Sequence, residues 1–85
     1  MNNHLIVNFR PFVMQQEVFI YQNGEMVKKA CPIMNELRST VEQLCKEYNI
    51  ERVNICGSPK MSANLVKGLQ VCFANKNITI EVTPH

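Results

Sequence analysis

The sequence predicts an α/β fold, a single small domain in which a mixed five-stranded sheet carries two helices. Apolar residues alternate with polar ones in five short segments, and they recur at helical spacing in two others. The first helical segment follows the third strand, and the second lies between the last two strands, which gives the order β-β-β-α-β-α-β. A chain of 85 residues supplies one hydrophobic core, so we expect residues 1–85 to form one domain.

The first three strands are predicted to form an antiparallel meander. Residues 4–9, 16–22 and 25–31 have strand patterns, and the first places Leu5 and Val7 on one side. Asn23-Gly24 separates the second from the third and is typical of a two-residue type I′ turn. A regular hairpin on this turn pairs Ile20 with Val27.

The first helix is predicted from Met34 onwards, after Pro32, and Asn49 is a plausible residue to end it. One helical face then carries the apolar residues Met34, Leu37, Val41, Leu44, Cys45 and Tyr48.

The rest of the chain is predicted to form a strand, a helix and a final strand. Residues 52–56 alternate, and Ser58 then precedes Pro59 as a helix cap. Gly68 lies inside this helix, where we expect a close approach to the sheet to offset its cost. Residues 78–82 alternate again, and the crossover connections make the last strands parallel. The buried helical stripe is predicted to comprise Met61, Leu65, Leu69, Cys72 and Phe73.

Composition excludes several classes of protein. The formal net charge of +2 is too small for a dedicated duplex-DNA binder, and no apolar run is long enough to cross a bilayer. Without a leader peptide, we expect a cytoplasmic protein whose cysteines are buried and reduced. No closely spaced ligand pairs occur, and His4 and His85 stand near opposite ends, so we expect no metal and no other cofactor.

The order of strands and helices resembles the minimal core of the ribonuclease H-like superfamily over nearly the whole chain. Active nucleases of that group hold two divalent metals with acidic residues, the first of them in the first strand. Here the first strand offers Asn8 and the fourth offers Asn54, and the chain contains no aspartate. The resemblance therefore predicts the fold, and we assign no catalytic residue from it.

The best local candidate for a ligand site is the turn between the fourth strand and the second helix. The residues proposed to hold an anion there are Gly57, Ser58, Lys60 and Ser62. Free amides at a helix N-terminus, two hydroxyls and an ammonium group suit a phosphate or a carboxylate. The alternative is that Ser58 and Pro59 simply start the helix.

A second candidate is a surface for a nucleic acid or a protein partner. Lysines beside aromatic residues suit single-stranded nucleic acid, although such lysines also occur on ordinary solvated hairpins. A loop with three consecutive apolar residues follows Pro11, and unprotected sheet edges favour a homodimer. The residues assigned to this surface are Phe12, Val13, Met14, Phe19, Tyr21, Lys28 and Lys29.

Two functions are compatible with these features. The sequence favours a non-catalytic binding or accessory module that engages a nucleic acid or a larger protein, such as an accessory protein of a phage or mobile element. The alternative is a small enzyme or ligand-binding protein that holds a phosphorylated or anionic substrate at residues 57–62. The enzyme requires converging titratable groups, and the sequence identifies no such pair.

Overall fold

The computed structural model describes residues 2–84, which form a mixed sheet with two helices. The strands follow the spatial order β3-β2-β1-β4-β5. Strand β1 is antiparallel to β2 and parallel to β4, β2 is antiparallel to β3, and β4 is parallel to β5. This arrangement confirms the predicted fold class and order. The elements are β1 (Asn3–Asn8), β2 (Glu17–Gln22), β3 (Glu25–Ala30), α1 (Leu37–Glu47), β4 (Arg52–Cys56), α2 (Ala63–Cys72) and β5 (Thr79–Thr83).

The hydrophobic core lies on one face of the sheet. Alternate residues of the three central strands are fully buried, and both helices contribute to the same cluster. The helices also contact each other, which places them on the same face. Within residues 2–84, no helix covers the opposite face. The core comprises Leu5, Val7, Phe9, Val18, Ile20, Leu37, Val41, Leu44, Cys45, Ile50, Val53, Ile55, Leu69 and Phe73.

The hairpin between β2 and β3 turns at Asn23-Gly24, as predicted, with φ of 53° and 86° at the two residues. The predicted regular register is wrong beyond Tyr21, because a bulge shifts the pairing there. Ile20 therefore faces Lys28, and Val18 faces Ala30. The shift places the small side chain of Ala30 against the core, where the regular register would have placed a lysine.

Helix α1 follows a 3₁₀ turn at Met34–Glu36, at the predicted position. Asn49 has a φ of 52°, which fits its predicted role in ending the helix. The side-chain amide of Asn3 donates hydrogen bonds to the carbonyls of Tyr48, at 2.9 Å, and Asn49, at 3.3 Å. These bonds tie the end of α1 to the start of β1.

Helix α2 differs from its prediction at the N-terminus and at Gly68. It begins at Ala63, because residues 58–62 form a separate turn. Gly68 approaches the other helix and not the sheet: a Cβ there would lie 2.8 Å from Cδ of Arg38. The missing side chain thus makes room for an arginine stem across the helix pair.

The predicted burial of the cysteines and of the α2 stripe is only partly correct. All four thiols are free, but only Cys45 is buried, and Cys31 and Cys72 are exposed. Met61 is also exposed, since it precedes the helix proper. The thiol of Cys72 donates a hydrogen bond to the carboxylate of Glu42 on α1, 2.6 Å away, which explains how a cysteine lies at the helix surface.

Candidate functional site

The carboxyl ends of β1, β4 and β5 lie together along one end of the sheet, because these three strands are parallel. This end is called the carboxyl-end edge, and it is distinct from the edge strands β3 and β5. The amide of Phe9 donates to the carbonyl of Cys56, and the amide of Gly57 donates to that of Thr83, each at 2.9 Å. The chain therefore crosses from β4 into the turn before α2 directly beside the end of β1. Ligands of open α/β sheets bind at such carboxyl ends.

Gly57 fits this edge because it has no side chain. A Cβ at this position would lie 2.9 Å from the carbonyl oxygen of Phe9 and 3.2 Å from its Cβ. Backbone atoms cannot yield as a flexible side chain does. Gly57 thus sets how closely the turn approaches β1.

The turn at residues 57–62 brings the predicted anion-binding residues together, but most of their polar groups bond within the protein. Ser62 is fully buried, and its hydroxyl donates to the carbonyl of Ser58 at 2.8 Å. The Ser58 hydroxyl accepts from the amide of Met61 at 3.3 Å, which closes the turn. The N-cap residue of α2 is Ser62, so the prediction that Ser58 caps the helix is wrong. Lys60 is exposed, so its ammonium group is the charged group that this turn presents to solvent.

A carboxylate lies at the same edge, on the uncovered face of the sheet. Glu17 faces Asn8 across β1 and β2, and the Asn8 amide donates to it at 3.0 Å. Lys29 lies 3.5 Å and Arg10 4.0 Å from the carboxylate oxygens. The Asn8 hydrogen bond, with a smaller contribution from the two cations, lowers the pKa of Glu17, so this group is ionised at neutral pH.

The residues at this edge do not form the metal centre that the fold family implies. Nuclease centres need several carboxylates around two cations. In residues 2–84 no three histidine, cysteine or glutamate side chains lie close enough to hold an ion, and His85 lies outside the described residues. Glu17 is already engaged by an amide and two cations. A two-metal centre therefore does not fit these side chains.

Gln16 organises the loop after β1, a role that the sequence analysis missed. Its side chain is fully buried. The Gln16 side-chain oxygen accepts a hydrogen bond from the backbone amide of Arg10 at 2.7 Å. Its side-chain nitrogen donates to the backbone carbonyls of Arg10, at 2.7 Å, and Val13, at 2.6 Å. A glutamine beside a polar neighbour gives no sequence signal for such a role.

The apolar part of the predicted partner surface lines a groove on the helical side. Phe12 and Met14 are exposed and, with Val13, border a pocket of about 400 Å³. A second pocket, of about 300 Å³, shares Met34 and Asn35 with the first and extends to α2. The loop at residues 11–14 therefore borders a groove that runs beside the helices.

The aromatic part of that predicted surface lies on the other face of the sheet. Phe19 and Tyr21 alternate with core residues of β2, so both point away from the helices. The ammonium group of Lys29 lies 5.6 Å from the centre of the Phe19 ring. Lys28 pairs with the core residue Ile20 and so does not join this cluster. The structure therefore divides the predicted surface into two separate places.

The topology and the edge just described define the ribonuclease H-like fold, which confirms the resemblance seen in the sequence. The nuclease domain of the large terminase subunit of bacterial virus Sf6 superposes with a TM-score of 0.80 at 12% identity. A lysine-to-alanine mutant of that bacteriophage subunit, solved with calcium, gives 0.78 at 13%. In both cases the match covers 99% of this chain and 38% of the other.

Comparisons of sequence add nothing to this likeness. No family model matches the chain, and no curated protein matches it. The chain spans well under half the length of the viral structures that it resembles.

The structural likeness corrects the function favoured by the sequence. A non-catalytic binding or accessory module was expected, but the chain shares its fold with the nuclease domain of a viral terminase subunit. The alternative, an enzyme or ligand-binding protein for a phosphorylated substrate, is better supported. No helix in residues 2–84 is long and apolar enough to span a membrane.

Proposed function

We propose that this protein is a nuclease-like enzyme that acts on nucleic acid and holds a backbone phosphate at the carboxyl-end edge of β1 and β4. The observation that carries the proposal is the match of 99% of the chain to a viral nuclease domain at a TM-score of 0.80. The same edge carries the turn at residues 57–62, the best local candidate for an anion. Fold and local chemistry thus favour one substrate class, a phosphodiester chain.

Lys60 supplies the charge for this phosphate. It is exposed at the turn, whereas the hydroxyls of Ser58 and Ser62 stabilise the turn itself. An ammonium group on a fixed turn binds phosphate as a point charge. Gly57 keeps the turn against β1, so the phosphate lies beside the ends of two central strands.

Glu17 and Asn8 are the polar pair nearest the end of β1. The ionised Glu17 holds Arg10 and Lys29 at this edge, which places two further cations along the path of a phosphate backbone. The side chains of residues 2–84 do not fit a metal ion at this edge.

The proposal is tested by incubating the purified protein with end-labelled single- and double-stranded DNA and RNA, with and without Mg²⁺. We expect shortened products from at least one substrate and their loss in Lys60→Ala. Lys46→Ala is the matched control, because Lys46 is an exposed lysine in the last turn of α1. Absence of products from every substrate, or equal loss in both variants, would contradict the enzymatic proposal.

The predicted homodimer and cytoplasmic location stay predictions. The edge strands β3 and β5 are the surfaces on which a second copy would pair. Sedimentation equilibrium over a range of concentrations tests the dimer, and a single monomer mass throughout would contradict it.

A further inference from the structure

The face of the sheet opposite the helices presents a row of rings that neither the core nor the phosphate edge uses. His4 on β1 is the cross-strand neighbour of Tyr21 on β2, and Ile6 is the neighbour of Phe19. All four side chains are half-buried, and they keep part of their surface exposed because no helix in residues 2–84 covers them. Directly opposed side chains on one face contact each other. The three rings and Ile6 therefore form one continuous surface across β1 and β2.

A pocket of about 230 Å³ opens at one end of this row. Asn2, His4, Ile6, Tyr21 and Gly24 line it. The Nε2 atom of His4 is buried there without a hydrogen-bond partner. A buried polar atom without a partner costs free energy, so a ligand group that bonds to it is favoured.

Cations border the row at its other end. Lys29 lies over the Phe19 ring, and Arg10 shares the Glu17 carboxylate with it, so two cations face one anion. This corner has an excess of positive charge. Rings beside an excess of positive charge are complementary to bases joined by phosphates.

From this juxtaposition, we propose that the uncovered face is a stacking platform for the bases of a single-stranded nucleic acid, with Tyr21 as the main stacking residue and Phe19, whose ring lies under the Lys29 ammonium, as the second. The inference rests on the proposed function, since it specifies the strand that the phosphate edge holds. Exposed aromatic side chains on a β-sheet stack two or three unpaired bases in other single-strand binders. A duplex keeps its bases stacked inside and offers none to this surface.

A protein partner fits this face less well. On β4 and β5 the same face of the sheet carries polar and charged side chains, among them Asn54, Glu81 and Arg52. Arg52 and Glu81 already form an ion pair with 2.8 Å between nitrogen and oxygen. Protein interfaces have an apolar centre within a polar rim, whereas here the apolar row lies at one side of a polar surface.

Binding of labelled 12-nucleotide strands, followed by fluorescence anisotropy, tests the platform. An oligothymidylate is compared with an abasic strand of equal length, which has the same phosphates and no bases. We expect the oligothymidylate to bind about tenfold more tightly, in line with the usual value of stacking on an aromatic side chain. Equal affinity for the two strands would overturn the platform.

Variants locate the binding surface. The double variant Phe19→Leu, Tyr21→Leu keeps apolar bulk and removes both rings, and we expect it to lose the preference for bases. Phe12→Leu is the matched control, because it removes an aromatic ring from the helical side of the molecule. An unchanged preference in the double variant would contradict the proposal.

Tyrosine fluorescence tests the platform even if the double variant does not fold. The chain has no tryptophan and two tyrosines, so Tyr48→Phe leaves Tyr21 as the only tyrosine fluorophore. We expect oligothymidylate to quench it and the abasic strand to leave it unchanged. Binding that depends on Lys60 but causes no quenching would refute the platform and leave the phosphate edge standing. Absence of binding to every strand would refute the proposed function itself.

Discussion

Asn8 donates its side-chain amide to the carboxylate of Glu17, with 3.0 Å between Nδ2 and Oε1. The two residues face each other across β1 and β2 at the edge where the parallel strands end. An amide, and not a second carboxylate, therefore stands beside Glu17. The hydrogen bond and the nearby cations hold Glu17 in its ionised form.

Replacing Asn8 is expected to raise the pKa of Glu17. The carboxyl has a folded-state pKa below its ordinary value of 4.5, chiefly because of the Asn8 hydrogen bond. Its contribution to stability is therefore present above that ordinary value and is lost as the pH falls through the folded-state value. NMR titration of the Glu17 side-chain carboxyl carbon checks this in Asn8→Ala. Asn54→Ala, at an amide that bonds Thr83, should leave the titration unchanged.

Replacing Gln16 is expected to destabilise the protein through the loop at residues 10–16. Gln16→Ala removes three hydrogen bonds and takes these partners from the Arg10 amide and the Val13 carbonyl, whereas the Arg10 carbonyl still accepts from the Val13 amide. Each hydrogen bond lost from a partly buried backbone group costs about 0.5–1.5 kcal/mol. Urea denaturation measures the loss. Gln15→Ala, at an exposed neighbour, serves as the control, and an equal loss there would contradict the assigned role.

The two glycines in and before α2 are expected to lose different amounts of stability on replacement by alanine. Gly57→Ala forces a Cβ against the carbonyl of Phe9 and should cost about 1–3 kcal/mol, the usual range for overpacking. Gly68→Ala meets only the flexible stem of Arg38 and gains about 1 kcal/mol of helix propensity, so its net effect should be small. Thermal denaturation of both variants decides the matter. A larger loss for Gly68→Ala would show that the contact with Arg38 is rigid.

The cysteines are expected to differ in reactivity at neutral pH. Burial raises the pKa of Cys45 to about 12, and the hydrogen bond to Glu42 raises that of Cys72. Thiolates are the reactive species, so both should alkylate slowly, whereas Cys31 is exposed. Mass spectrometry of iodoacetamide-treated protein measures the order in which the cysteines are alkylated. We expect Glu42→Gln to accelerate the alkylation of Cys72. Fast alkylation of Cys72 in the unmodified sequence would contradict its hydrogen bond to Glu42.

Much of the fold could be predicted from local patterns. The periodicity beginning at Met34 placed α1, and Asn23-Gly24 placed the hairpin turn, because both features depend on neighbouring residues. The bulge at Ile20 could not be predicted, since it depends on which side chain of β3 fits the core.

The candidate site was predictable only in part. The sequence identified the turn at residues 57–62, but the bonds that occupy Ser58 and Ser62 depend on backbone geometry. The sequence also grouped Phe12 with Phe19, although the sheet separates them. The face that a residue occupies follows from the alternation of its strand. That no helix of residues 2–84 covers the face with Phe19 depends on where both helices pack, which the local pattern does not give.

The central claim is that the protein acts on nucleic acid, and strand binding at two salt concentrations tests it most directly. Fluorescence anisotropy with a labelled single strand at about 50 and 200 mM salt measures the affinity and its electrostatic part. We expect saturable binding that weakens clearly at the higher salt, because phosphate contacts compete with counterions. Absence of binding at about 50 mM salt would contradict it.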